Sequence, residues 1–167
     1  REFEMSSKLR NEYTKATDDY AALNDSYGRI ITSAKDPSGA GDLSVVFNYM
    51  KMLDPGAIVT ESDFQNAMNT GSLPQYVQGW ISKIITGKGL DDDVRADITD
   101  RSGRLYNDAT QAFSKRLDRY VVLAGEWGLD IDKTIYNRMN HPAYSPPKKP
   151  DNTPRPQTVT RKYNLAT

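Results

Sequence analysis

The only histidine among the 167 residues is His141, and the chain contains no cysteine. Together these facts remove most of the reactive chemistry available to a protein. Ser-His-Asp catalysis, histidine metal clusters and most general-base schemes need an imidazole beside its partners, and His141 stands alone at the edge of a proline-rich stretch. Without thiols there is no disulfide framework, no thiol chemistry and no thiolate metal site. Carboxylate pairs remain: Glu61 with Asp63, and Glu126 with Asp130, are residue types that can hydrolyse a glycosidic bond. Each has a simpler reading, because Glu61 and Asp63 belong to a helix start and Glu126 and Asp130 flank a helix end and a turn. Asp91-Asp92-Asp93 sits where the exposed amides of a helix start attract negative charge. Gly87-Lys88-Gly89 lacks the spacing of a phosphate loop and reads as a helix C-cap. The ten tyrosines recur at helical spacing on faces a core would use, so base stacking is not indicated. No catalytic, cofactor-binding or metal-binding residue is assigned.

The elements that would position any such group follow from composition and periodicity. Lys plus Arg and Asp plus Glu each number 22, so no global field recommends nucleic acid or an anionic membrane as partner. The hydrophobic fraction of 37% lies below that of ordinary globular domains, which implies that part of the chain is exposed. No apolar run approaches the ~20 residues that span a bilayer, and the start lacks a signal-peptide pattern; the sequence reads as that of a soluble protein. The length suits one compact unit. The chain starts at Arg1 with helical register already established by Leu9, which fits a segment of a longer protein as well as a whole one.

Met5, Leu9, Tyr13, Ala16, Tyr20, Leu23, Tyr27 and Ile30 follow one another at steps of three and four. This predicts a long N-terminal helix with a narrow a/d seam, closed by Asp36-Pro37-Ser38-Gly39. Asp42 is expected to cap a second helix with the face Leu43, Val46, Phe47, Met50 and Leu53, ended by Asp54-Pro55-Gly56. Tyr49 and Met52 extend its apolar surface around much of the circumference, so this helix belongs at the centre of the core. Thr60-Glu61-Ser62-Asp63 matches a capping box for a short helix carrying Phe64, Ala67 and Met68. Ser72 and Pro74 open another, bearing Tyr76, Val77, Trp80, Ile81, Ile84 and Ile85.

From Asp91 to Trp127 a single long helix is predicted, with Val94, Ile98, Leu105, Ala109, Phe113, Leu117, Tyr120, Ala124 and Trp127 on one face. Ser102 on that face suggests a close approach by another helix, and Gly103 and Gly125 weaken it slightly. A last short helix is expected from Asp132 to Met139. The fold class is therefore all-α: a helical bundle with long N-terminal and central helices, short helices between them and an extended proline-rich arm.

The boundary is set at 140/141, with a helical domain over 1–140 and the arm over 141–167. Six of the nine prolines fall within residues 141–156, which disfavours regular structure. Lys148, Lys149, Arg155, Arg161 and Lys162 against Asp151 give residues 142–167 a net charge of +4. Such an arm is ordered by lying across another surface, and its cations offer non-specific contact with DNA phosphates. The candidate interface residues are Leu9, Tyr13, Tyr20 and Tyr27 on the seam, with Tyr144, Pro146, Pro147, Arg155, Arg161 and Tyr163 in the arm.

The stretch GDLSVVFNYMKMLDPGAIVTESDF, residues 41–64, resembles a segment of virion proteins of tailed bacteriophages. YMKMLDP is its specific motif. KLRNEYTKATDDYAALNDSYGRI upstream and GLDIDKTIYNRM downstream are similar to the same family's flanks, so the likeness covers Lys8 to Met139. Thr60-Glu61 stands where the family tends to have Arg-Glu, and Asp63 stands for a glutamate; capping survives both changes. The resemblance implies a structural part of a phage particle, an internal, DNA-ejection or tail-associated component made in the host cytoplasm. It implies partners among other virion proteins and copies of itself, and it supplies no catalytic residue. Two alternatives remain open: the non-catalytic end of a larger virion-associated lytic enzyme, and a scaffold that leaves before maturation.

Overall fold

A computed structural model describes residues 1–55 and 60–148, with the side chain of Glu61 excepted. Among these residues there are six helices and no strand. They are α1 (Glu2–Ser33), α2 (Gly39–Leu53), α3 (Glu61–Asn69), α4 (Gln75–Ile85), α5 (Asp92–Glu126) and α6 (Ile131–Thr134). The all-α reading and the long N-terminal and central helices hold. Residues 149–167, with Arg155, Arg161 and Tyr163, lie outside the described residues.

The two long helices run antiparallel. Glu12 near the start of α1 meets Tyr120 near the end of α5, and Tyr27 stacks on Tyr106 further along. Stepping along the seam by three and four brings one tyrosine after another onto α5. Tyr20 stacks on Phe113 with centroids 4.1 Å apart, and Tyr27 on Tyr106 at 4.4 Å. Stacked pairs of this kind add about 0.5–1.5 kcal/mol each beyond their buried area. The α5 helix is continuous through Gly103 and, at 35 residues, is about 52 Å long.

Burial on α1 alternates apolar with polar side chains. Thr17 and Asn24 are fully buried beside Tyr13, Tyr20 and Tyr27, whereas Ala16 and Leu23 of the predicted seam are only partly so. Small polar side chains tolerate this position because each has a partner: the Thr17 hydroxyl donates to Tyr13 O (2.8 Å), and Asn24 Oδ1 accepts from Asn140 N (3.4 Å).

Helix α2 is central, as its pattern requires: Val45, Val46, Tyr49, Met50 and Met52 are buried. Its start differs from expectation. Ser38, not Asp42, is the N-cap, accepting from Gly41 N at 3.1 Å. Asp42 lies one turn further in, fully buried, where Arg95 neutralises it. Leu53 is exposed and Asn48 buried, the reverse of the expected faces. Asn48 Nδ2 donates to Ser44 O at 2.8 Å, while its Oδ1 is buried without a partner.

The Thr60–Asp63 capping box is present at α3, and Phe64 seats edge-on against Phe47 of α2. In α4, Val77, Ile81 and Ile84 point inward, but Tyr76 and Ile85 face solvent. Gly87 follows with φ +80°, a conformation that ends the helix at little cost only for glycine. On α5, Ile98, Phe113 and Ala124 are buried as expected, Trp127 is exposed, and Tyr106 is a core residue that the predicted face omitted.

The largest departure is at the C-terminal side. Only Ile131–Thr134 forms a helical turn, and residues 135–148 run without helix. Asp130 caps this turn by accepting from Lys133 N (3.2 Å). The helix predicted to Met139 is absent because the backbone of the following residues bonds to side chains of α1 and α5 instead of to itself.

Candidate interaction surface

The extended segment 135–148 forms a strap along the groove between α1 and α5. It begins where the Ser6 and Thr134 hydroxyls share a hydrogen bond of 2.9 Å. It then runs parallel to α1. Tyr13 donates its hydroxyl to Tyr136 O (2.5 Å), Arg138 reaches Asp18 (3.1 Å), and Asn140 N meets Asn24. At His141 the strap crosses to α5, where the Tyr106 hydroxyl donates to His141 O at 2.7 Å. Asn107 grips Tyr144 twice, donating from Nδ2 to its carbonyl (2.9 Å) and accepting its amide on Oδ1 (2.8 Å). The Tyr144 hydroxyl finally donates to Asp100 at 2.7 Å.

Two helix-interior glycines make room for it. A β-carbon at Gly28 would overlap the His141 ring, and one at Gly103 would overlap the Tyr144 ring. Each glycine costs its helix about 1 kcal/mol relative to alanine, and the rings that fill the two notches account for their presence. Beside Ser102, where a close approach by another helix is expected, Gly103 admits the strap's Tyr144. Ser102 itself is buried, with its hydroxyl turned back to Ile98 O (2.7 Å).

Electrostatics along the strap follow from burial and partners. Burial pushes the Tyr144 hydroxyl up to about 12, with the hydrogen bond to the Asp100 carboxylate adding to it. Asp100 is held below the usual carboxylate range by hydrogen bonds from Arg104 and then Tyr144. Tyr136 is lowered from the ordinary tyrosine value by hydrogen bonds with Thr14 and Arg138. Each of these hydroxyls already has a hydrogen-bond partner.

Of the candidate interface residues, Leu9, Tyr13, Tyr20 and Tyr27 are buried within the chain itself. A neighbour could meet them only if α1 parted from α5 or the strap. Tyr144 is half-buried on α5, while Pro146 and Pro147 are exposed. Sequence reasoning missed Asn24, Gly28, Gly103, Tyr106 and Asn107 as groove residues. Gly28 and Gly103 carried the readable signal, since each interrupts an otherwise good helical pattern without ending it.

Besides Leu53 at the end of α2 and Tyr136 in the strap, the large exposed apolar side chains fall into two groups. Phe3, Val122, Trp127 and Ile131 lie at the end of the bundle where α1 begins and α5 stops, and Tyr76 and Ile85 lie on α4. A cleft of about 340 Å³ beside α4, lined by Met68, Asn69, Gln78, Ile81, Ser82, Ile85 and Thr86, holds no titratable group. Glu126 is exposed, and Asp130 is engaged with Lys133 (2.8 Å) and capping α6. Asp91 is paired with Lys83 at 2.5 Å, and Asp92 with Arg95 at 2.8 Å. Among the described residues no acidic, histidine or cysteine cluster is arranged to hold a metal ion, and no helix is long and apolar enough to cross a membrane. Comparison with protein-family models, curated proteins and solved structures finds no match.

Proposed function

We propose that this chain is a non-enzymatic structural component of a tailed-phage virion, an internal or tail-proximal part of the machinery that releases DNA, assembled in several copies. The observation that carries this reading is the resemblance of residues 41–64, centred on YMKMLDP. Those residues have an architectural character here: Tyr49, Met50 and Met52 are core side chains of the central helix. A likeness borne by core residues is a likeness of scaffold, in keeping with a part whose work is to hold shape. Exposed apolar side chains at one end of the bundle and on α4 give the body surface to offer neighbours. The cations at Lys149, Arg155, Arg161 and Lys162 add non-specific affinity for DNA or for an acidic neighbour.

The test is deletion of residues 149–167, which removes those cations and leaves the described strap in place. Oligomer mass and particle assembly are then measured. Loss of assembly with an unchanged helical spectrum is expected; unchanged assembly would strip the arm of its role. Peptidoglycan release by the purified chain would contradict the non-enzymatic assignment.

A further inference from the structure

We propose that the groove between α1 and α5 is a receptor for residues 131–148 as such, and that in an assembly it takes this segment from a second copy of the chain. The groove is built for one extended sequence. Gly28 leaves the space that His141 fills, Gly103 the space that Tyr144 fills, and Asn107 reads the Tyr144 backbone in both directions. Tyr13 and Tyr106 each give their hydroxyl to a strap carbonyl. The segment satisfies its backbone on α1 and α5 and owes its position to them.

Its covalent tie to α5 is short and turns at one glycine. Residues 127–130 join the two, and Gly128 holds φ +67° there. Exchange turns the chain there, releasing the Leu129 amide from Ala124 O and the Leu129 side chain from the core, while the groove contacts can be remade with a partner's segment. Closed and exchanged forms then share the groove contacts and differ in the 127–130 linker, Leu129 included, and in the entropy of association. A tethered segment competes at an effective concentration in about the millimolar range, so exchange needs copies crowded to a similar level. A particle holding several copies supplies that crowding; to this extent the inference rests on the multi-copy reading above.

The absence of cysteine from these 167 residues permits a clean test. The Ser6 and Thr134 hydroxyls touch, and Thr134 is fully buried. The double variant Ser6→Cys/Thr134→Cys should close an internal disulfide when dilute, and failure to do so would refute the groove geometry and the proposal with it. Single variants Ser6→Cys and Thr134→Cys are then mixed near millimolar concentration and oxidised. A covalent heterodimer is expected, rising with concentration and several-fold above a mixture of Ser6→Cys with Asp118→Cys, an exposed position on α5 that reports random collision. No excess at any concentration overturns exchange. Native mass of the unmodified chain separates the two readings: an oligomer without excess heterodimer retains multi-copy assembly and sinks exchange, whereas a monomer throughout sinks both.

Discussion

Arg95 meets Asp42 across 53 residues of sequence, its Nε and Nη2 lying 2.8 and 2.7 Å from the same buried carboxylate oxygen. The second oxygen of Asp42 accepts the Leu90 amide at 2.7 Å. One side chain thus fixes the first turn of α2, the loop before α5 and the first turn of α5. Asp42→Asn keeps the shape and removes the buried anion, leaving Arg95 paired only with the solvent-exposed Asp92 carboxylate. The expected loss is about 3 kcal/mol, read as a melting point lower by roughly 6–12 °C. Asp42→Leu with Arg95→Met should recover only part, because the Leu90 amide then lacks its acceptor.

The notch under Tyr144 predicts a reversal of sign. Alanine for glycine inside a helix ordinarily stabilises by about 1 kcal/mol. Gly103→Ala should instead destabilise by about 1–3 kcal/mol, because the new methyl displaces the ring. In a Tyr144→Ala background the same change should become neutral or stabilising. Urea denaturation of the four proteins in that cycle measures the coupling directly.

Alkaline pH should loosen the strap and the α1–α5 interface. Burial raises Tyr144 and Tyr20 from 10.0 to about 12. A group whose folded value is raised contributes stability fully present below its unfolded value and lost as pH climbs to the folded one. The urea midpoint should therefore hold to pH 10 and fall between pH 10 and 12. Tyr144→Phe should shallow that fall, since Tyr20 alone of the pair would remain to titrate.

Asn48 offers a stabilising change. Its Oδ1 is buried without a donor, and an unsatisfied buried acceptor carries its full desolvation cost. Asn48→Leu keeps the branching at Cγ and removes the orphan oxygen together with the Nδ2 donation to Ser44 O. A gain of about 1 kcal/mol is expected, measured by thermal and urea unfolding.

Helix existence was readable because each long element kept its period over many turns, although the faces differ in places, with Leu53 and Trp127 exposed and Asn48 and Tyr106 buried. What failed to show were features decided by a distant partner. Asp42 looks like a cap in isolation, and only Arg95, unreadable from local pattern, draws it inside. Thr17 and Asn24 break the apolar seam on paper yet are buried, because a local carbonyl and the strap satisfy them. The segment after Thr134 carries helical spacing that its neighbours override, offering side-chain partners to its backbone. Tyr13, Tyr20 and Tyr27 were legible as one buried stripe; that the chain's own α5 and strap would cover them was not.

The proposed virion assignment is tested most directly by quantitative mass spectrometry of purified, DNA-filled particles of a tailed phage whose genome carries this sequence. Several copies per particle, at constant ratio to the major capsid protein, is the predicted result. A chain abundant in the infected cell but missing from mature particles would contradict it.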